Sequence, residues 1–174
     1  MNRKPLPELL LAERLVRSGQ TLATAESCTG GLIGHRVTSV SGCSAYYLGG
    51  VIAYAYRVKI DELGVDPVTL DREGAVSPTV AGQMARGVRE RLGADIGVGT
   101  TGIAGPTGGT ADKPVGLVYM AVCDGRGCRV ERHTFKGGRE AVKDAAAEAA
   151  LRLILHRLDA VEADGGEQKI DDGP

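Results

Sequence analysis

Thr24-Ala25-Glu26-Ser27-Cys28-Thr29-Gly30-Gly31 is the stretch on which the fold turns. It follows the short apolar run Leu22-Ala23 and leads into apolar residues at helical spacing, from Leu32-Ile33 through Val37 to Val40. The pattern predicts a strand running directly into a helix. A hydroxyl, a thiol, a second hydroxyl and two glycines crowd the joint. Such a joint presents unpaired backbone N–H groups and the positive end of a helix dipole. It can hold an anion or stabilise an oxyanion. Two roles are open to Ser27: capping the following helix, or attacking a substrate.

Outward from the joint, residues 6–18 place Leu6, Leu9, Leu10, Leu15 and Val16 at helical spacing, and Ser18-Gly19 stops that helix. Residues 21–25 predict a strand and 31–39 a helix. Residues 45–56 are rich in Tyr, Val and Ile and predict a strand interrupted at Gly49-Gly50. Residues 59–63 form a short helical turn before Gly64, and 67–74 are connective. Ser77-Pro78 is a strong helix start, and Val80, Met84, Val88 and Leu92 carry the helix to Gly93. Residues 94–101 are a strand that opens into a glycine-rich loop over 101–110. A hairpin follows, 117–123 with 128–135, about Asp124-Gly125-Arg126-Gly127. Residues 140–158 are the longest helix. From Asp159 to Pro174 the tail is acidic and glycine-rich, and is expected to be disordered. Helices alternating with strands, then a hairpin, predict a single-domain α/β fold: an α/β/α sandwich with a mixed sheet.

A chain of 174 residues fits one domain with a core of its own. A formal net charge of -1 supplies no basic field for nucleic acid. Aromatics are 3% of residues and Trp is absent, so base-stacking platforms are not expected either. No charged leader with an apolar core appears, and no apolar run approaches the ~18 residues of a membrane span. The four cysteines, Cys28, Cys43, Cys123 and Cys128, lack the paired spacing of a zinc site. The composition therefore predicts a cytoplasmic protein with reduced thiols, no metal and no membrane partner. Cys123 and Cys128 flank a glycine turn and could face each other, but free thiols are the expectation.

A serine nucleophile needs a base to take its proton. The pattern around Ser27 is not G-x-S-x-G. His35 lies inside a predicted helix, His133 in the hairpin and His156 near the end of the last helix, so none stands at a strand-end loop. Lysine is the other base serine enzymes use, once burial lowers its pKa. Lys59 stands five residues after Tyr54, past an apolar strand. It is either such a base, with Tyr54 orienting it or sharing the proton, or a solvated residue paired with Asp61 or Glu62. Cys28 is a thiolate candidate or a small packing residue. Glu26 is either buried on backbone N–H groups or simply favours the helix dipole. In the second glycine cluster, Gly102, Gly105, Gly108 and Gly109 allow close backbone approach, and Thr101 and Thr107 offer hydroxyls. It matches neither a dinucleotide fingerprint nor a Walker loop. Arg139, after Gly137-Gly138, is a candidate phosphate fork.

Together, T-A-E-S-C-T-G-G at 24–31, G-x-x-A-Y at 50–54, T-G-I-A-G-P-T-G-G at 101–109 and K-P-V-G at 113–116 resemble the CinA C-terminal domain family. The resemblance covers about residues 9 to 158, with 1–158 as the domain. It implies a nicotinamide-nucleotide amidohydrolase, deamidating nicotinamide mononucleotide to nicotinate mononucleotide and ammonia without a cofactor. In that family a Ser, a Tyr and a Lys form the proposed catalytic group, which carries over here to Ser27, Tyr54 and Lys59. Substrate binding would fall to Cys28, Thr29, Gly30, Gly31, Thr101, Gly102, Gly105 and Arg139. The family usually reads Y-[ST]-N-x-x-K, whereas this chain has Ala55-Tyr56 between its Tyr54 and Lys59. Its G-D-R pattern reads Gly137-Gly138-Arg139 here. The resemblance also suggests a homo-oligomer. The alternative is a nucleotide-binding or regulatory module of the same fold without hydrolysis.

Overall fold

The computed structural model describes residues 5–166. Helix α1 (Pro7–Ser18) starts on a proline at its first turn and ends at Gly19, whose left-handed backbone (φ 66°) lets its N–H return to Val16 O. Strand β1 (Leu22–Glu26) is buried at every position. It feeds α2 (Leu32–Thr38), a 3₁₀ turn (Cys43–Ala45) and β2 (Tyr47–Ile52). Three helices follow, α3 (Tyr56–Leu63), α4 (Pro67–Glu73) and α5 (Pro78–Leu92). Strands β3 (Ile96–Gly102), β4 (Leu117–Asp124) and β5 (Gly127–Thr134) then precede α6 (Arg139–Gly166).

The sheet order is β2-β1-β3-β4-β5. β1 runs parallel to both its neighbours, while β3–β4 and β4–β5 are antiparallel. The sheet is therefore mixed, as expected. On one face α1, α2 and α6 place Leu11, Leu15, Ile33, Leu151 and Ile154 against Leu22, Ile96, Val98 and Met120. On the other, Leu63, Leu70, Val80, Met84 and Val88 from α3, α4 and α5 close over Ala23 and Ala25. This is an α/β/α sandwich. The chain leaves β1 toward β2 across one face and returns to β3 across the other. That reversal opens a crevice at the C-terminal ends of β1 and β3, where ligands bind in such sheets.

Five expectations change. Residues 67–74 are not connective: Asp66 caps α4 by accepting from Val68 N and Thr69 N, with Pro67 at the first helical position. The predicted strand over 45–56 shrinks to β2, and Tyr56 already belongs to α3. Gly49-Gly50 do not interrupt β2, because a Cβ on Gly50 would come 2.1 Å from Thr24 Oγ1, so the glycine permits close strand pairing. Helix α6 continues past Asp159 to Gly166, and residues 167–174 of the expected tail lie outside the described residues. Finally, Cys123 and Cys128 face each other in the β4–β5 ladder with Cα atoms 4.1 Å apart and form a disulfide, while Cys28 and Cys43 are free.

Two contacts fix the layers. Arg157 of α6 grips Asp124 with two nitrogens at 2.8 and 2.7 Å. Burial alone would raise the Asp124 carboxyl, yet hydrogen bonds from Arg157 and Arg126 hold it at about 2. On the opposite face α5 lies directly on β3: a Cβ on Gly97 would sit 2.1 Å from Ala85 O, and one on Gly99 2.7 Å from Ala81 O. Gly97→Ala is therefore expected to cost about 1–3 kcal/mol in urea denaturation, the usual cost of overpacking. Gly125→Ala, at a turn position with nothing within 4 Å, should stay within about 0.5 kcal/mol of wild type.

Candidate functional site

Alternate residues of a strand face opposite sides of its sheet. At the end of β1 this sends Glu26 toward α2 and Ser27 toward α3. The Glu26 carboxylate is buried and accepts from Gly31 N (3.0 Å), Ile33 N (3.1 Å) and Gly34 N (2.8 Å). The acid itself thus occupies the positive end of α2. Gly31 is the residue at the N-cap position of α2, and no side-chain cap is made from there. Ser27 does not cap the helix. Gly30 N also donates inward, to Ser27 O, so the N–H groups of Gly30, Gly31, Ile33 and Gly34 are not open to an anion.

Ser27 N donates to Thr100 O at 3.0 Å, fixing the residue at the crevice between β1 and β3. Its Oγ accepts from Lys59 Nζ at 3.0 Å. Lys59 occupies the buried stripe of α3 together with Leu63, one turn on, and is 1% exposed. Helical side chains lean toward their own N-terminus, which carries the amine back over the preceding residues. There Nζ donates to Ala53 O (2.5 Å) and Tyr54 O (3.1 Å). It does not pair with Asp61 or Glu62; Glu62 is bridged to Arg91.

This donor arithmetic suits both protonation states. An ammonium has three N–H bonds for three acceptors. A neutral amine keeps two N–H bonds for the two carbonyls and turns its lone pair to the Ser27 hydroxyl. Burial brings Lys59 down from its ordinary 10.5 to about 8. Burial also takes the Cys28 thiol up to about 12, with Glu26 adding to it, so Cys28 is a protonated thiol in the cleft wall rather than a thiolate.

The cleft holds about 180 Å³ and is lined by Ser27, Cys28, Tyr54, Lys59, Gly102 and Arg139, among others. The Tyr54 hydroxyl accepts from Arg139 Nη2 at 2.9 Å, so Tyr54 reaches Lys59 through its carbonyl and not its phenol. Arg139 Nη1 donates to Gly105 O at 2.8 Å. Thr101 is at the wall, but its hydroxyl donates to Ala75 O at 2.8 Å. Thr29 is fully buried and bonds Thr100 Oγ1 at 2.8 Å. Gly31 opens instead on a separate hollow with Glu26 and Tyr47, across the sheet from Ser27. Thr29, Gly30 and Gly31 thus shape the joint without lining the Ser27 cleft. Ala75, Val76 and Ala104 do line it, and sequence reasoning missed them. Among the described residues no group of three or more His, Cys, Asp or Glu is placed to hold a metal ion, and no helix is long and apolar enough to cross a membrane.

Fold and site together define an α/β/α domain whose sheet-end crevice holds a buried serine–lysine pair. The sequence profile of the CinA C-terminal domain matches residues 6–158, and the chain belongs to that family. A CinA-like protein of Salinibacter ruber is 54% identical over 151 residues, covering 87% of this chain and 37% of the relative. A CinA-like protein of Geobacter sulfurreducens is 50% identical over 146 residues, covering 83% and 35%. The chain thus spans about a third of the length of the curated relatives it matches. Among solved structures, the competence/damage inducible protein CihA of Agrobacterium tumefaciens superposes with a TM-score of 0.80 at 40% identity, covering 91% of this chain and 99% of that one. A CinA superfamily protein of Enterobacter cloacae gives 0.86 at 30% identity, covering 91% and 96%.

The Lys59 shift has a thermodynamic signature. The unfolded chain holds the proton up to 10.5 and the folded one only to about 8, so between these values unfolding takes up a proton and stability rises with pH. The drop from 10.5 to about 8, at ~1.4 kcal/mol per pH unit, corresponds to about 3 kcal/mol. The stability of wild type relative to Lys59→Met should climb by about that much across this interval in paired urea titrations. A difference independent of pH would mean an ordinary lysine.

Proposed function

We propose that this protein is an amidohydrolase that cleaves the carboxamide of nicotinamide mononucleotide, releasing ammonia and nicotinate mononucleotide. The observation that carries the reading is the 3.0 Å approach of a buried, pKa-lowered Lys59 amine to Ser27 Oγ, with two carbonyls holding its other hydrogens. Neutral Lys59 takes the Ser27 proton as Oγ attacks the carboxamide carbon. Lys59 then passes that proton to the departing nitrogen, which leaves as ammonia. Water resolves the acyl-serine, again with Lys59 accepting a proton and returning it to Ser27 Oγ.

Gly102 is the candidate oxyanion donor. Along β3, Thr100 faces β1 and accepts from Ser27 N; Gly102, two residues on, faces the same way beyond the last ladder pair, Glu26 with Thr100. Its N–H therefore has no β1 partner, and the residue lines the cleft. One such donor is worth about 3 kcal/mol of barrier. A cleft of about 180 Å³ is smaller than the ~300–1,000 Å³ that encloses a whole drug-sized ligand. The pyridine carboxamide enters it, and the phosphate stays at the mouth, where Arg139 has two of its five N–H groups engaged and three left for an anion.

Ammonia release from nicotinamide mononucleotide tests the reading. Ser27→Ala and Lys59→Met should each lose at least ~10³-fold in kcat, whereas Cys28→Ala should keep kcat within about threefold. Because the base works unprotonated, kcat/KM should fall about tenfold per pH unit below about 8 and level off above it. Arg139→Ala should raise KM far more than it lowers kcat. Wild-type rates from Ser27→Ala would remove the nucleophile assignment, and nucleotide binding without turnover by the wild type would favour a binding module.

A further inference from the structure

Ala75 lies in the short connection between α4 and α5 that forms one wall of the Ser27 cleft. Both its backbone polar groups are taken by side chains from other elements. Its N–H donates to the Tyr56 hydroxyl at 3.3 Å, and its C=O accepts from the Thr101 hydroxyl at 2.8 Å. Tyr56 opens α3 and Thr101 belongs to β3, so the clamp closes from both sides of the connection. Just before it, Lys113 Nζ donates to Glu73 O at the end of α4. Val76, the next residue, lines the cleft, and neither its N–H nor its C=O bonds any described residue. A backbone C=O without a protein partner at a cleft is available to water or to a substrate N–H.

We propose that Tyr56 and Thr101 are positioning residues for substrate selection: their hydroxyls fix Ala75 so that the Val76 carbonyl accepts from the nitrogen of the substrate carboxamide. This deepens the amidase reading and rests on it. A site built to hydrogen-bond an N–H rejects an analogue that lacks one, because its own acceptor is left unpaired. The carboxylate product has no such N–H and meets the carbonyl with like charge. The clamp therefore favours amide over product and helps the product leave.

Tyr56→Phe and Thr101→Val each delete one hydroxyl at nearly constant shape. Deuterium exchange at the Ala75 amide should quicken in Tyr56→Phe. Calorimetric Kd for nicotinamide mononucleotide, measured in the Lys59→Met background to prevent turnover, should rise about three- to tenfold in either variant. The Kd for nicotinate mononucleotide should stay within about twofold. In the active background KM should rise with kcat within about twofold, and the pH profile should not move, since the bonds of Lys59 are untouched. Equal weakening of both nucleotides, or an unchanged Kd for the amide, would overturn the proposal. If the unmutated chain neither binds nor cleaves the amide nucleotide, the amidase reading falls and takes the substrate assignment with it. Quickened exchange would then leave the clamp standing, and unchanged exchange would remove that too.

Discussion

A buried carboxylate is tolerated only when its charge is met by donors, and Glu26 finds three of them at the start of α2. The rest of the site follows from that attachment. It binds the end of β1 to α2 and sets the direction of the chain as it leaves the sheet. It also fixes which face each neighbouring side chain takes. With Glu26 held on the α2 side, Ser27 must point to the α3 side, where Lys59 waits on the buried stripe of its helix. A slip of one residue would exchange the two and place the hydroxyl on helix amides with no base near it.

The basicity of Lys59 comes from the same layered packing. An amine in the core stripe of α3 loses its water, and burial is what brings it down to about 8. The carbonyls of Ala53 and Tyr54 then orient it, and they lie there because the chain has just left the edge strand β2 and is turning into α3. The departure from the family pattern at Ala55-Tyr56 falls inside this turn. Tyr56 nonetheless finds a partner of its own, the Ala75 amide, on the opposite wall.

What could be read from the chain was mostly local. The strand-to-helix joint, the Ser77-Pro78 start and the hairpin depend on neighbours a few residues apart, and they stand close to where periodicity put them. The start of α4 was visible too, since Asp66-Pro67 carries the same kind of signal as Ser77-Pro78, but its helix is only seven residues long and has little apolar pattern. At Glu26-Ser27 local pattern fails for another reason: either residue is a chemically sensible partner for helix amides, and only strand alternation decides between them. Lys59 left a trace, standing four residues before Leu63 on one helical face. Long-range pairings left none. The Tyr54 phenol meets Arg139 from 85 residues away, and Thr101 meets Ala75 from 26. Compartment argues for free thiols at Cys123 and Cys128, whereas ladder register sets the two face to face.

The glycines of β3 have a consequence for how such a domain can diverge. Because α5 meets β3 through main-chain atoms at Gly97 and Gly99, side-chain exchange in that layer has almost no room to alter the spacing of helix and strand. The opposite rim is held by individual side chains, Lys113 on Glu73 O and Arg139 on Gly105 O. Mutation can lengthen, loosen or re-aim these one at a time without touching the sheet. A lineage built on this scaffold would thus keep its serine and lysine in fixed geometry while new ligand preferences arise along the glycine-rich rim, so that inheritance of the chemistry and drift of the specificity are assigned to different edges of one crevice.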